Sequence, residues 1–178
     1  MNFEELIRNK GTPIKKKKGE HVFRQGDSDV SLYFLQSGLL KAYYTSQEGK
    51  QTVKSFLLPN NVIGSLASVY SQTDCSFSLI CLESCLLRKI PFEVIRDFSN
   101  KDIELANNMI ELLLQFAIKK ETREYELLCL SAEKRFSKIV KTSPTLLDKI
   151  TQNDLARYLG VTSVGLSRIK KRVNKGLN

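Results

Sequence analysis

Between residues 14 and 90 the apolar positions come in short bursts, "HVF", "SLYFL", "LLKAYYT", "TVKSFLL", "FSLICL" and "CLLRKI". Turn chemistry separates them: Gly26-Asp27, Ser37-Gly38, Glu48-Gly49 and Pro59-Asn60-Asn61. Many short strands at this spacing predict an antiparallel β-roll of the jelly-roll kind. The period changes from about residue 102 to 128, where there is no Gly or Pro and Ile103, Ala106, Ile110, Leu113, Ala117, Lys120, Glu124 and Leu127 recur alternately three and four apart. That is a heptad seam on one long helix, apolar in its first half and polar at Lys120 and Glu124. Met109, Leu112 and Phe116 form a second stripe beside it, so the helix is expected to bury one face against the roll and another against a second copy of the chain. Ala106, Ile110, Leu113, Ala117 and Leu127 are the dimerisation candidates. The two polar seam positions leave open a helix lying wholly on its own core.

A further helix is predicted in "LCLSAEKRFSKIVKTSP", stopped near Pro144. In "TQNDLARYLGVTSVGLSRIKKRV", Thr151 with Asp154 three residues on resembles a capping box and starts a helix at Gln152. That helix runs to Leu159 and stops at Gly160, and Thr162 caps a second one with Leu166, Ile169 and Val173 on one face. Two short helices joined by a glycine turn make a helix-turn-helix, with Leu155, Ala156, Leu159, Val161, Leu166 and Ile169 at their contact. Ala156 has to be small where the helices cross. The fold class is therefore α+β: a roll over residues 1–100, a central helix over 101–130 and a helix-turn-helix domain over 131–178.

Composition adds that 178 residues, 42% of them hydrophobic, can bury a sizeable core. No stretch approaches the ~18 apolar residues of a membrane span, and "MNFEELIRNKGTP" lacks a secretory pattern. A cytoplasmic protein with no membrane partner is expected. Cys75, Cys81, Cys85 and Cys129 are then expected to stay reduced, and their spacing fits no zinc knuckle, so no metal site is predicted. Cys75, Cys81 and Cys85 share strand parity and read as small core residues, although a turn near Glu83-Ser84 could bring Cys81 and Cys85 together as a thiol switch. With one histidine, no paired carboxylate in a glycine frame and no "GxxxxGKS" phosphate loop, an enzyme is not expected.

Charge sharpens the picture once it is located. Residues 1–130 hold 17 Lys and Arg against 16 Asp and Glu, while residues 131–178 hold 11 against 3, a net of +8 out of +9. Such segregation is the footprint of a phosphate-backbone binder. Arg168, Lys170, Lys171, Arg172 and Lys175 put five cations within eight residues of the second helix. In a recognition helix the N-terminal residues meet base edges and later cations meet phosphates. Ser163, Val164, Ser167 and Arg168 are therefore the base-side candidates, Gln152, Asn153, Arg157, Lys170, Lys171 and Arg172 the backbone candidates, and Thr162 a further contact, for double-stranded DNA.

These features together resemble the cyclic-AMP receptor protein and fumarate-nitrate regulator (CRP/FNR) family of bacterial transcription factors, over roughly residues 14–176. "KKGEHVFRQGDSDVSLYFLQSGLLKAYY" is similar to the family's opening hairpins, with Gly19, Gly26 and Gly38 at its glycine positions. "NNVIGSLASVYSQTDCSFSLICLESCLLRKIP" resembles the ligand cradle and "ITQNDLARYLGVTSVGLSRIKKRV" the DNA-reading motif. The resemblance implies a homodimer paired through its central helices, a palindromic operator with half-sites ~34 Å apart, and RNA polymerase as a further partner.

The departures from the family are informative. Its nucleotide-binding members carry a Glu and an Arg where this chain has Ser65 and Cys75; of that set only Ser76 remains. A thiol cannot replace the paired, charged hydrogen bonds of a guanidinium on a phosphate. Gly64, Ser65, Leu66, Ala67, Cys75 and Ser76 are thus expected to form a degenerate effector pocket, with no cofactor predicted and cyclic AMP not expected as ligand. An iron-sulfur form would need cysteines near the N-terminus, and the lone His21, conceivable as a haem ligand, reads as roll surface. Ser163 and Val164 stand where the best-known members have Arg and Glu, so the operator is expected to differ from the commonest half-site, with Val164 against a thymine methyl and Arg168 still gripping a guanine. With the sequence ending at Asn178, the wing of a winged helix is expected to be short or absent. The competing reading is a ligand- or protein-binding β-roll sensor or interaction module without selective DNA binding.

Overall fold

The short apolar bursts fold as strands in the computed structural model, which describes residues 2–175. They are β1 (Thr12–Lys16), β2 (His21–Phe23), β3 (Ser31–Ser37), β4 (Leu40–Thr45), β5 (Gln51–Leu57), β6 (Asn61–Ile63), β7 (Ser78–Cys81) and β8 (Cys85–Pro91). They pair antiparallel in two four-stranded sheets, ordered β1-β8-β3-β6 and β2-β7-β4-β5. Alternation sends Tyr33, Leu35 and Leu87 from one sheet, and Leu40, Ala42 and Leu79 from the other, into one core. There Phe23 meets Phe77 edge to face, with centroids 5.2 Å apart. Gly38 turns β3 into β4 at φ +97°, and a Cβ there would lie 2.5 Å from the Ser84 carbonyl oxygen. Only glycine satisfies both demands.

The pattern did not predict β1, whose "TPIKK" reads as polar. It is an edge strand, paired only with β8, and exposed lysine at an edge discourages further pairing. Three short helices were likewise unforeseen: α1 (Phe3–Lys10), α2 (Leu66–Ser71) and α3 (Phe92–Ser99). For α1 the signal was present. Asn2 Oδ1 accepts the Glu5 amide at 2.9 Å and Glu5 Oε2 accepts the Asn2 amide at 3.1 Å, a reciprocal cap that starts the helix and lets it bury Leu6 and Ile7.

The long helix α4 (Ile103–Cys129) begins under a cap from Asp102, whose Oδ1 accepts the Leu105 amide at 3.2 Å. Leu105 and Met109 are buried, and Leu112 and Phe116 half-buried, as the second stripe required. Next come α5 (Ala132–Thr142), α6 (Pro144–Leu147), α7 (Gln152–Leu159) and α8 (Ser163–Lys175). Pro144 does not merely stop a helix: it opens α6, where its missing N–H costs nothing. The chain divides into two compact units, Met1–Gln115 and Phe116–Asn178, so the central helix is shared between them and is not a unit of its own. Residues 176–178 of the expected C-terminal domain, and with them the expectation of a short or missing wing, lie outside the described residues.

Within the roll, Asp29 organises a polar cluster. Its carboxylate accepts the Tyr33 hydroxyl at 2.6 Å, the Lys89 ammonium at 3.1 Å and the Ser31 amide at 2.9 Å. Burial pushes this carboxyl up, but these three donors outweigh it and hold it below its ordinary value. A depressed folded pKa means that the contribution is present above the unfolded value, about 3.9, and is lost as pH falls through the folded one. Asp29→Asn should therefore cost about 1–2 kcal/mol in urea unfolding at pH 7 and flatten the loss of stability below about pH 4. An acid limb identical to that of the unaltered chain would contradict this role.

Candidate nucleic-acid interface

The helix-turn-helix forms as its sequence demands. Thr151 Oγ1 accepts the Asp154 amide at 3.1 Å and starts α7. Gly160 ends it at φ +70°, a left-handed turn that lets the Val161 amide bond back to the Ala156 carbonyl at 3.0 Å. Thr162 Oγ1 then accepts the Gly165 amide at 3.1 Å, capping α8. Leu155, Ala156, Leu159, Leu166 and Ile169 are buried and Val161 half-buried, so the predicted contact between the two helices is present.

That contact leaves one face of α8 outward. Thr162, Ser163, Val164, Ser167, Arg168 and Lys171 are exposed, as are Gln152, Asn153 and Arg157 of α7, while Lys170 is half-buried. Positions 163, 164, 167, 168 and 171 fall on one side at helical spacing. Val164, 64% exposed, is an apolar side chain held out among polar ones. The Lys175 side chain lies outside the described residues. Arg172, expected on a phosphate, is exposed and has a partner on its own chain, its Nη2 sitting 2.5 Å from Glu133 Oε1 of α5. Asn153 and Ser163 are also partners, the Ser163 hydroxyl donating to Asn153 Oδ1 at 2.6 Å.

Two arginines that the sequence reading passed over hold this unit together. Arg135, in α5, donates through Nη1 to the carbonyls of Glu126, at 3.1 Å, and Leu130, and through Nη2 to that of Leu159 at 2.9 Å. Arg123, in the second half of α4, donates to the Tyr158 carbonyl and lies 3.8 Å above the Tyr158 ring. Both guanidiniums meet the carbonyl-rich C-terminal ends of helices, where cations are favoured. The available signal was an arginine placed just after a long helix with its last carbonyls to satisfy.

In the roll, Gly64 and Ser65 are buried and Leu66, Ala67 and Ser76 exposed. Ser65 Oγ accepts the Ser76 amide at 3.2 Å, tying the two parts of the expected cradle to each other. Cys75 does not line that cradle. It is buried in the core cluster with its Sγ 3.8 Å from the Asp29 carbonyl, and burial pushes its thiol up. Cys81 and Cys85 do meet across the β7–β8 turn, both buried. Burial, then the neighbouring Cys85, drives the Cys81 thiol up to about 12. His21 joins the Tyr43 hydroxyl at 2.8 Å. Among the described residues no cluster of three or more potential ligands is placed to hold a metal ion, and no helix is long and apolar enough to cross a membrane.

On α4 the dimerisation candidates Ile110, Leu113, Ala117 and Leu127 are exposed and Ala106 half-buried. The exposed apolar stripe is wider than the heptad pattern indicated, since Leu114, Ile118, Tyr125 and Leu128 stand out beside it. Their spacing of four, seven and three residues was a readable signal.

Residues 13–102 match the family described as the cyclic nucleotide-binding domain, half of the chain. The chain belongs to that family. Beyond that domain it is similar to regulators of the CRP/FNR type. It is 29% identical over 174 residues to the fumarate and nitrate reduction regulatory protein of Shigella dysenteriae, a match covering 89% of this chain and 67% of the relative. With the anaerobic regulatory protein of Aggregatibacter actinomycetemcomitans it shares 28% over 170 residues, again 89% of this chain, but spans only 65% of that relative's length. A solved CRP/FNR-family transcriptional regulator from Eubacterium rectale has the same fold, with a TM-score of 0.76 and 20% identity over 99% of this chain and 85% of its own.

Arg135→Ala removes the guanidinium from the carbonyls at the ends of α4 and α7 and should cost about 3 kcal/mol in urea unfolding followed by circular dichroism. Arg135→Lys should recover little of it, because one ammonium cannot fork between two helix ends. Full recovery by lysine would show that charge alone matters there.

Proposed function

We propose that this chain is a sequence-specific, DNA-binding transcription regulator acting as a twofold dimer. The observation that carries the reading is the outward face of α8, with Ser163, Val164, Ser167, Arg168 and Lys171 side by side on the segment that holds nearly all the net charge. Arg168 reads a guanine through O6 and N7, and Val164 lies against a thymine methyl. Gln152, Asn153, Arg157, Lys170 and Lys171 hold the backbone. The names of the relatives, regulatory proteins throughout, support the same reading.

The partner copy packs on the exposed apolar stripe of α4, so that two recognition helices enter successive major grooves of a palindromic operator. RNA polymerase is the further partner, and the cytoplasm the place of action. The roll acts as receiver of a signal that shifts the dimer between two orientations of its reading heads. That signal is not a cyclic nucleotide held in the usual manner. The Ser65 hydroxyl is already engaged by the Ser76 amide, and Cys75 is turned into the core, which leaves no guanidinium for a cyclic phosphate. No cofactor is proposed.

Site selection from a random duplex pool tests the reading, and retention of random and selected duplexes at equal salt would contradict it. Ile110→Glu changes a side chain 56% exposed; it should leave the chain folded but monomeric in sedimentation and weaken operator binding at least about tenfold. Lys171→Ala should lower the slope of log affinity against log salt by about one per subunit. Arg168→Ala should instead relax preference at one base pair per half-site; an equal loss on all sequences would remove its reading role.

A further inference from the structure

The first residue of α8 and the second residue of α7 are hydrogen-bonded across the turn, Ser163 Oγ to Asn153 Oδ1 at 2.6 Å. With the Asn153 oxygen turned toward Ser163, the hydroxyl donates, because an amide oxygen can only accept. A serine hydroxyl has one proton. With that proton committed to Asn153, Ser163 faces solvent with lone pairs alone.

This matters for what the side chain can read. A serine with a rotatable proton is tolerant in the major groove: it donates to the O6 and N7 of guanine or the O4 of thymine, or accepts from the amines of adenine and cytosine. An acceptor-only hydroxyl loses the first option. Against guanine or thymine it sets lone pair against lone pair, whereas an exocyclic amine completes a hydrogen bond. There is no acidic side chain in the first turn of α8 to do this instead. Asn153 keeps both amide hydrogens, which suit a backbone phosphate, so one residue can grip the backbone and polarise its neighbour.

We propose that Asn153 is a specificity-determining positioning residue, which by accepting the Ser163 proton makes Ser163 a reader of a base bearing an exocyclic amine, adenine or cytosine. The assignment rests on the DNA-reading function proposed above and names what one position of the half-site contains.

The test is selection from a randomised duplex pool with the full chain and with Ser163→Ala, Asn153→Ala and Asn153→Asp. The position concerned is the one whose preference Ser163→Ala flattens. There the unaltered chain should enrich adenine or cytosine, and Asn153→Ala should admit guanine and thymine while other positions keep their preferences. Asn153→Asp still accepts the proton, so it should keep the narrow preference while binding all duplexes more weakly, an outcome that loss of folding would not produce. Replacing the selected adenine by purine, or the selected cytosine by pyrimidin-2-one, deletes the amine. That change should weaken binding by the unaltered chain about five- to tenfold and leave Ser163→Ala indifferent. The proposal is overturned if Ser163→Ala flattens no position, if guanine or thymine is enriched there, or if Asn153→Ala selects the same bases as the unaltered chain. Failure of every protein to enrich any sequence would instead bring down the DNA-reading function itself.

Discussion

The C-terminal unit depends on one half-buried side chain. Arg135 places its fork between the last turn of α4 and the last turn of α7, donating to carbonyls of both. Helix ends carry unsatisfied carbonyls and a concentration of negative dipole, and two such ends close together would repel each other without a cation between them. The guanidinium turns that repulsion into a joint. Arg123 repeats the device one step away, on the carbonyl and ring of Tyr158. As a result the second half of α4, α5 and α7 are tied to one another through side chain-to-carbonyl bonds.

The same economy of polar groups appears in the roll. The N-cap of α2 and the loop that leads into β7, the two parts of the expected cradle, are joined by a hydroxyl and an amide, Ser65 to Ser76. Cys75, at the place of the family's phosphate-binding arginine, adds to the apolar core instead. Nearby, Asp29 gathers a tyrosine, a lysine and an amide around one carboxylate. Polar side chains that could have turned toward a ligand are satisfied by one another, a state that burial enforces wherever no outside partner supplies the bonds.

Much of this was legible in the sequence. The strands stood out because alternation and glycine turns coincide, and the helix-turn-helix because Thr151, Gly160 and Thr162 mark its ends by local chemistry alone. The short elements escaped for different reasons. β1 offers only Ile14 to the core and is defined by its neighbour β8, while α2 and α3 are no longer than about two turns. α1 could have been found from Asn2 and Glu5. In the site, the identity of the outward residues was readable, but pairings were not. Nothing in the order of residues says that Arg172 spends its charge on Glu133, or that Ser163 and Asn153, ten positions apart, share a proton.

The sheet order carries a consequence for how the roll is made. β8 lies between β1 and β3, so the last strand of the roll to leave the ribosome is an inner strand of its sheet, and β1 has no other partner. Until residue 91 has emerged, the nascent chain holds β1 with its backbone unpaired and β3 bonded on one side only. Pairing across some 70 residues is slow to form relative to local contacts, and the lysines of β1 keep the waiting strand from finding a neighbour on another chain.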